Sequence, residues 1–111
     1  MPSEKSGMAS FYKIALIADL PPGTAKRFIV DETPIAVYNC NGQFSATHDT
    51  CSHAEASLAE GRLDCETGQI ECPLHGARFD VLTGKAICLP AISAVKAYAV
   101  KVEDGALHVR V

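Results

Sequence analysis

The sequence predicts an all-β fold, a sandwich or a small barrel, on three observations. Short runs rich in Val, Ile, Phe and Tyr recur at close intervals with turn residues between them. In the last pair of runs the apolar residues alternate with the period of two that a half-buried strand requires. Only Cys51 to Glu60 lacks strand character, and ten residues hold at most a short helix.

Taken in order, Phe11 to Ala18 reads as a strand ended by Pro21-Pro22-Gly23. Lys26 to Val30 follows, then Ile35 to Cys40, with Pro34 restricting the start of the latter. Asn41-Gly42 is a strong type I′ hairpin signal, because both central residues of that turn need positive φ. The chain then returns through Phe44 to His48. Arg62 to Cys65 and Gln69 to Cys72 flank Glu66-Thr67-Gly68 as a further strand pair. The last hairpin turns at Glu103-Asp104-Gly105, with Tyr98, Val100 and Val102 on one arm matching Leu107, Val109 and Val111 on the other. His108 alternates with Leu107 and Val109, so it and His48 are expected at the surface of strands.

At 111 residues one compact domain is expected, which leaves no room for a separate substrate domain. Ten Lys and Arg against thirteen Asp and Glu give a formal charge of -3, the wrong sign for a nucleic-acid binder. The N-terminus is polar and has no apolar signal core, and Met8 could serve as an internal start, with residues 1–10 expected to be flexible. The first apolar stretch, Ile14 to Ala18, falls far short of the roughly 20 residues that span a bilayer. The expected compartment is the reducing cytoplasm, where clustered cysteines more often hold metal than form disulfides.

Two short clusters carry the chemistry, Cys51-Ser52-His53 and Cys72-Pro73-Leu74-His75, with 18 residues between His53 and Cys72. Each offers one thiolate and one imidazole from a single loop, and Gly61, Gly68, Pro73, Gly76 and Gly84 let the surrounding backbone turn tightly. A Cys2His2 zinc finger places both cysteines on one element and both histidines on another, whereas here the pairs are mixed. Two facing loops of this kind suit a two-iron cluster with one iron on thiolates and the other on imidazoles. Zinc on four protein ligands is the chemical alternative.

At these residues the chain resembles the Rieske family, whose pattern is C-x-H followed by C-x-x-H. The neighbouring Gly76, Phe79-Asp80 and Thr83-Gly84 match as well, and Pro90 falls where the family has a third, proline-bearing loop. The resemblance runs from about Phe11 to Val111 and is closest to the small ferredoxins of bacterial aromatic-ring dioxygenases. It implies one [2Fe-2S] cluster, with Cys51 and Cys72 on the inner iron and His53 and His75 on the outer one. It also implies an antiparallel β-sandwich base, residues 11–45 and 85–111, with a small cluster-binding subdomain, residues 46–84, inserted.

Departures from the family's other branches sharpen this. Respiratory Rieske proteins join their two cluster loops by a disulfide; the corresponding positions here are Ala56 and Leu74. Those proteins also place Ser and Tyr hydroxyls near the cluster, where this chain has Ala77 and Phe79. Fewer donors leave the reduced state less stabilised, so the expected potential is around -150 mV, the low end of the Rieske range. Rieske oxygenases add a mononuclear-iron domain for which no residues remain. The resemblance therefore implies a monomeric carrier of single electrons, from a flavin-dependent ferredoxin reductase to a terminal oxygenase, itself no enzyme. The alternatives are a Rieske-like small subunit of a nitrite reductase, and a structural or sensor module stabilised by zinc or an iron–sulfur cluster.

The other residues carry blander expectations. Cys40, Cys65 and Cys88 read as small buried hydrophobes at strand ends, with no disulfide among them. Taken singly, Phe79, Leu74 and Pro90 read as packing residues; together with Ala54 and Ala91 they could form an apolar rim around the imidazoles. Surface acidic residues could steer the protein toward basic patches on its partners.

Overall fold

The computed structural model describes residues 11–51, 56–74, 76–88 and 93–111, the side chain of Cys88 apart. Among these residues ten strands make two antiparallel sheets: β1 Phe11–Leu16, β2 Thr24–Val30, β3 Thr33–Cys40, β4 Gln43–His48, β5 Arg62–Asp64, β6 Gln69–Glu71, β7 Arg78–Asp80, β8 Ala86–Cys88, β9 Ala97–Glu103 and β10 Ala106–Arg110. Six of them form one sheet in the order β1-β10-β9-β4-β3-β2, and β5-β6-β7-β8 form the other. Single 3₁₀ turns stand at Ile17–Asp19 and Leu58–Glu60. No helix among the described residues is long and apolar enough to cross a membrane.

The large sheet is built from hairpins. Asn41 and Gly42 both take positive φ, 58° and 90°, between Cys40 and its cross-strand partner Gln43, as the hairpin signal required. The β2–β3 turn uses Asp31 and Glu32 at φ 50° and 66°, a left-handed pair without glycine. In the last hairpin Leu107 pairs with Val102 and Val109 with Val100. Leu107 and Val109 are buried, while Val102 is exposed, so the alternation holds fully on one arm only. His108 is half-buried between Lys13 and Lys101.

The small sheet lies between β4 and β9, which are neighbours in the large one. It runs past the expected limit at residue 84 to Cys88, because β8 pairs with β7. Its central row, Leu63, Ile70, Phe79 and Ala86, turns inward, and the rows on either side, Arg62-Glu71-Arg78 and Asp64-Gln69-Asp80, do not. Two turns of the same design shape it. In Asp64-Cys65-Glu66-Thr67-Gly68 and Asp80-Val81-Leu82-Thr83-Gly84 the Asp carboxylate accepts from the backbone two and three residues on. The same Asp's carbonyl then accepts from a positive-φ glycine, Gly68 at 2.9 Å and Gly84 at 2.8 Å. At Gly84 the choice is doubly enforced, since a Cβ there would strike the Val95 carbonyl.

Strand β3 is the wall between two cores and is buried from Ile35 to Asn39. Ile35 and Val37 face the core of the large sheet with Leu20, Val30, Ala46, Leu107 and Val109. Ala36 and Tyr38 face the other way, into the core closed by the small sheet. A disulfide joins Cys40, at the end of β3, to Cys65 in the β5–β6 turn, Cα to Cα 5.2 Å apart. This corrects the expectation of isolated buried thiols: the turn at the far end of the small sheet folds back onto the end of β3, and neither cysteine is a lone hydrophobe.

Candidate metal centre

Two loops at one end of the small sheet present the cysteines of the paired motifs. Cys51 follows β4 and Cys72 follows β6, and both are buried, 4% and 1% exposed, within the same apolar core. The loops close alike. The Cys51 N–H donates to the Ala56 carbonyl at 3.0 Å, and the Cys72 N–H to the Ala77 carbonyl at 2.7 Å, five residues on in each case. The second loop is tightened further by Gly76, at φ 74°, whose N–H donates to the Cys72 carbonyl at 3.2 Å.

The first loop has a polar anchor beneath it. Asp49 is only 2% exposed, yet each carboxylate oxygen has a partner. Oδ1 accepts from the Ser57 hydroxyl and the Ala59 N–H, both at 3.0 Å, and Oδ2 faces Arg27 Nε at 3.1 Å. The Asp49 carbonyl accepts from Leu58 at 2.7 Å, and its N–H donates to Pro34 at 2.9 Å. A buried carboxylate is stable only when so paired. Nearby, the Tyr38 hydroxyl shares a 2.8 Å hydrogen bond with Thr47. Burial pushes the Tyr38 phenol well above its usual range; the bond to Thr47 opposes the shift and the Asp49 charge adds to it.

Set against the sequence reading, the two cysteines come together in one core. His53 and His75 lie outside the described residues, as do Ala54, Pro90 and Ala91 of the expected rim. Among the described residues no group of three or more His, Cys, Asp or Glu gathers as a metal site. Leu74 is exposed as a rim residue should be, but Phe79 is fully buried and belongs to the core, because its strand turns it inward beside Ile70. His48 is half-buried, and its Nδ1 accepts from the Thr50 N–H at 3.2 Å. Sequence reasoning missed Asp49, Arg27 and Ser57; the only signal was an acidic residue just ahead of Cys51.

Two buried thiols held by matching loop closures in an apolar core suit a thiolate-ligated iron–sulfur group. Cysteine is the soft donor such a group requires, and the dry surroundings protect it from solvent. Ala77 and Phe79, both fully buried, bring no hydroxyl to this core.

The model of the Rieske [2Fe-2S] domain matches residues 10–99. The ferredoxin subunit of 3-phenylpropionate/cinnamic acid dioxygenase from Photorhabdus laumondii is 43% identical over 99 residues, covering 88% of this chain and 91% of that one. The solved ferredoxin of carbazole 1,9a-dioxygenase from Nocardioides aromaticivorans superposes with a TM-score of 0.89 at 37% identity, over 92% of this chain and 98% of that chain. A chain in a solved complex of reduced oxygenase and oxidised ferredoxin of carbazole 1,9a-dioxygenase superposes at 0.83 with 40% identity, over 90% and 92% of the two chains.

Proposed function

The chain belongs to the Rieske [2Fe-2S] domain family, and from that premise we propose that it is the electron-carrying ferredoxin of an aromatic-ring dioxygenase system. The observation that carries this is the pair of matching loops that bury Cys51 and Cys72 in one apolar core. The named relatives and the solved ferredoxins support the same role. Cys51 and Cys72 would hold the inner iron, and His53 and His75 the outer one.

When bound, the cluster supplies a site that stores and releases one electron. The chain's own residues do the rest. The loop closures hold the backbone at both cysteines. The core of Ile70, Ala77 and Phe79 keeps water from the sulfurs. With no hydroxyl from Ala77 or Phe79, the added negative charge of the reduced state is less stabilised, which supports a midpoint around -150 mV. Such a potential suits transfer from a flavin-dependent reductase to a terminal oxygenase, in the cytoplasm, by a monomer that makes small, transient contacts.

Metal analysis and mutagenesis test the assignment. The purified protein should be red-brown, with iron and acid-labile sulfide in equal amounts; a colourless protein with one zinc overturns it. His53→Ala and His75→Ala should each abolish the Rieske electron paramagnetic resonance signal, and its survival in either removes that histidine from the ligand set. Reduction by candidate flavin reductases, followed by transfer to candidate oxygenases, then tests the partners.

A further inference from the structure

We propose that Asp49 is a positioning residue for the first cysteine loop, and that the Arg27–Asp49 ion pair sets the local field in which the cluster is reduced. The inference rests on the cluster assignment above.

Asp49 stands two residues before Cys51 and holds both ends of the loop. On the outgoing side its N–H is fixed to Pro34 of β3, and on the returning side its carbonyl and Oδ1 together take Leu58, Ser57 and Ala59. Thr50 and Ser57 form a bridge directly across the loop's neck. Between these ties the Cys51 N–H closes onto Ala56. Both ends of the loop thus meet at Asp49, through its backbone and its carboxylate. A hydrophobic side chain could fill the same volume and leave the backbone bond from Leu58 in place, but could not hold the Ser57 hydroxyl and the Ala59 N–H.

The charge requires a second partner. An ionised group at 2% exposure is tolerated only beside an opposite charge, and Arg27, reaching across from β2, supplies it. Arg27 itself is half exposed, so the pair is anchored at its acidic end and open at its basic end. The carboxylate stands two residues before Cys51, and the guanidinium is 3.1 Å from that carboxylate. Reduction adds one negative charge to the cluster, so the carboxylate opposes it and the guanidinium assists it. In the intact pair the two effects largely cancel.

Opposite signs follow, and they separate an electrostatic positioning pair from a merely structural one. In Asp49→Asn the midpoint should rise, because a negative charge is lost. In Arg27→Gln it should fall, because Asp49 is left uncompensated. Arg27→Lys should restore most of the wild-type value, and the Asp49→Asn/Arg27→Gln double variant should return toward it. Loop loosening is read separately by the rate at which a ferrous chelator strips the reduced protein. Asp49→Asn should release iron faster on the order of tenfold, as expected for a lost charge-assisted hydrogen bond, with Arg27→Gln between it and wild type. Midpoints that move in the same direction, or do not move, overturn the electrostatic part. An unchanged release rate in Asp49→Asn overturns the positioning part. Arg27→Gln keeps the test decisive if Asp49→Asn fails to fold, since Arg27 is half exposed. A wild-type protein without iron would instead overturn the cluster assignment, an outcome distinct from both.

Discussion

Removing the Cys40–Cys65 disulfide should lower stability by about 3.5 kcal/mol. The bond spans 25 residues, and closing a loop of that length in the unfolded chain corresponds to roughly 3.5 kcal/mol of chain entropy at 25 °C. With an unfolding entropy of about 2.1 cal/mol/K per residue over 111 residues, the melting temperature should drop by about 15 °C. The assay is thermal unfolding followed by circular dichroism, on wild type with and without reductant, on Cys40→Ser, on Cys65→Ser and on the double variant. Because either substitution removes the same link, the double variant should melt close to the singles rather than at twice their loss. Reductant should move wild type toward the variants and leave the variants unchanged. The visible spectrum should persist in all of them, since the proposed ligands are other cysteines. A drop below about 3 °C in both single variants, or an additive double variant, would refute the view that this bond staples the small sheet to β3.

Gly84→Ala should cost about 3 kcal/mol or more, because a left-handed conformation and a Cβ against the Val95 carbonyl are penalised together; a urea titration reads it, and a loss under 1 kcal/mol would count against that crowding. The folded-state pKa of Tyr38 lies above the ordinary phenol value of 10.0, so its contribution to stability is intact below pH 10 and is lost as pH rises beyond. Tyr38→Phe should flatten that alkaline decline while losing about 1 kcal/mol at neutral pH with the Thr47 hydrogen bond, as urea titrations at neutral and alkaline pH would show. If His53 and His75 ligate the outer iron, oxidation should lower their pKa, and the midpoint should fall with rising pH; a titration flat from neutral pH to beyond 10 would remove them from that role.

Strands with local punctuation were legible in the sequence, the short β5 and β6 around Glu66-Thr67-Gly68 included, and β7 and β8 were not. The β3–β4 hairpin announced itself through Asn41-Gly42, whereas β2–β3 turns on Asp31-Glu32, with no glycine or asparagine to mark the positive φ. Strands β7 and β8 are three residues each, too short for a period of two to show. Their turn nevertheless had a visible template, because D-x-x-T-G occurs at Asp64–Gly68 and again at Asp80–Gly84 with the same hydrogen bonds. Phe79 carries two readings in the sequence, packing and rim, for a related reason. Without β7, nothing showed that it sits in register with Ile70 and Leu63 on the inward face.

The candidate ligands and their supports differ in a way that explains which of them a sequence reveals. Each proposed ligand pair lies within one loop, so its spacing is written locally. The supports join strands that are distant in sequence, Arg27 to Asp49 and Cys40 to Cys65, and no local pattern connects them. Both act at β3. At its start, Pro34 and the neighbouring Arg27–Asp49 pair hold the first cysteine loop; at its end, Cys40 holds the far turn of the small sheet. Between them Ala36 and Tyr38 pack against the core that contains Cys51 and Cys72. The first cysteine loop is therefore tied to one end of β3 and the far turn of the small sheet to the other. Such ties would keep the two cysteines in place for the proposed common group, and they depend on the pairing of β3 with distant residues rather than on either motif.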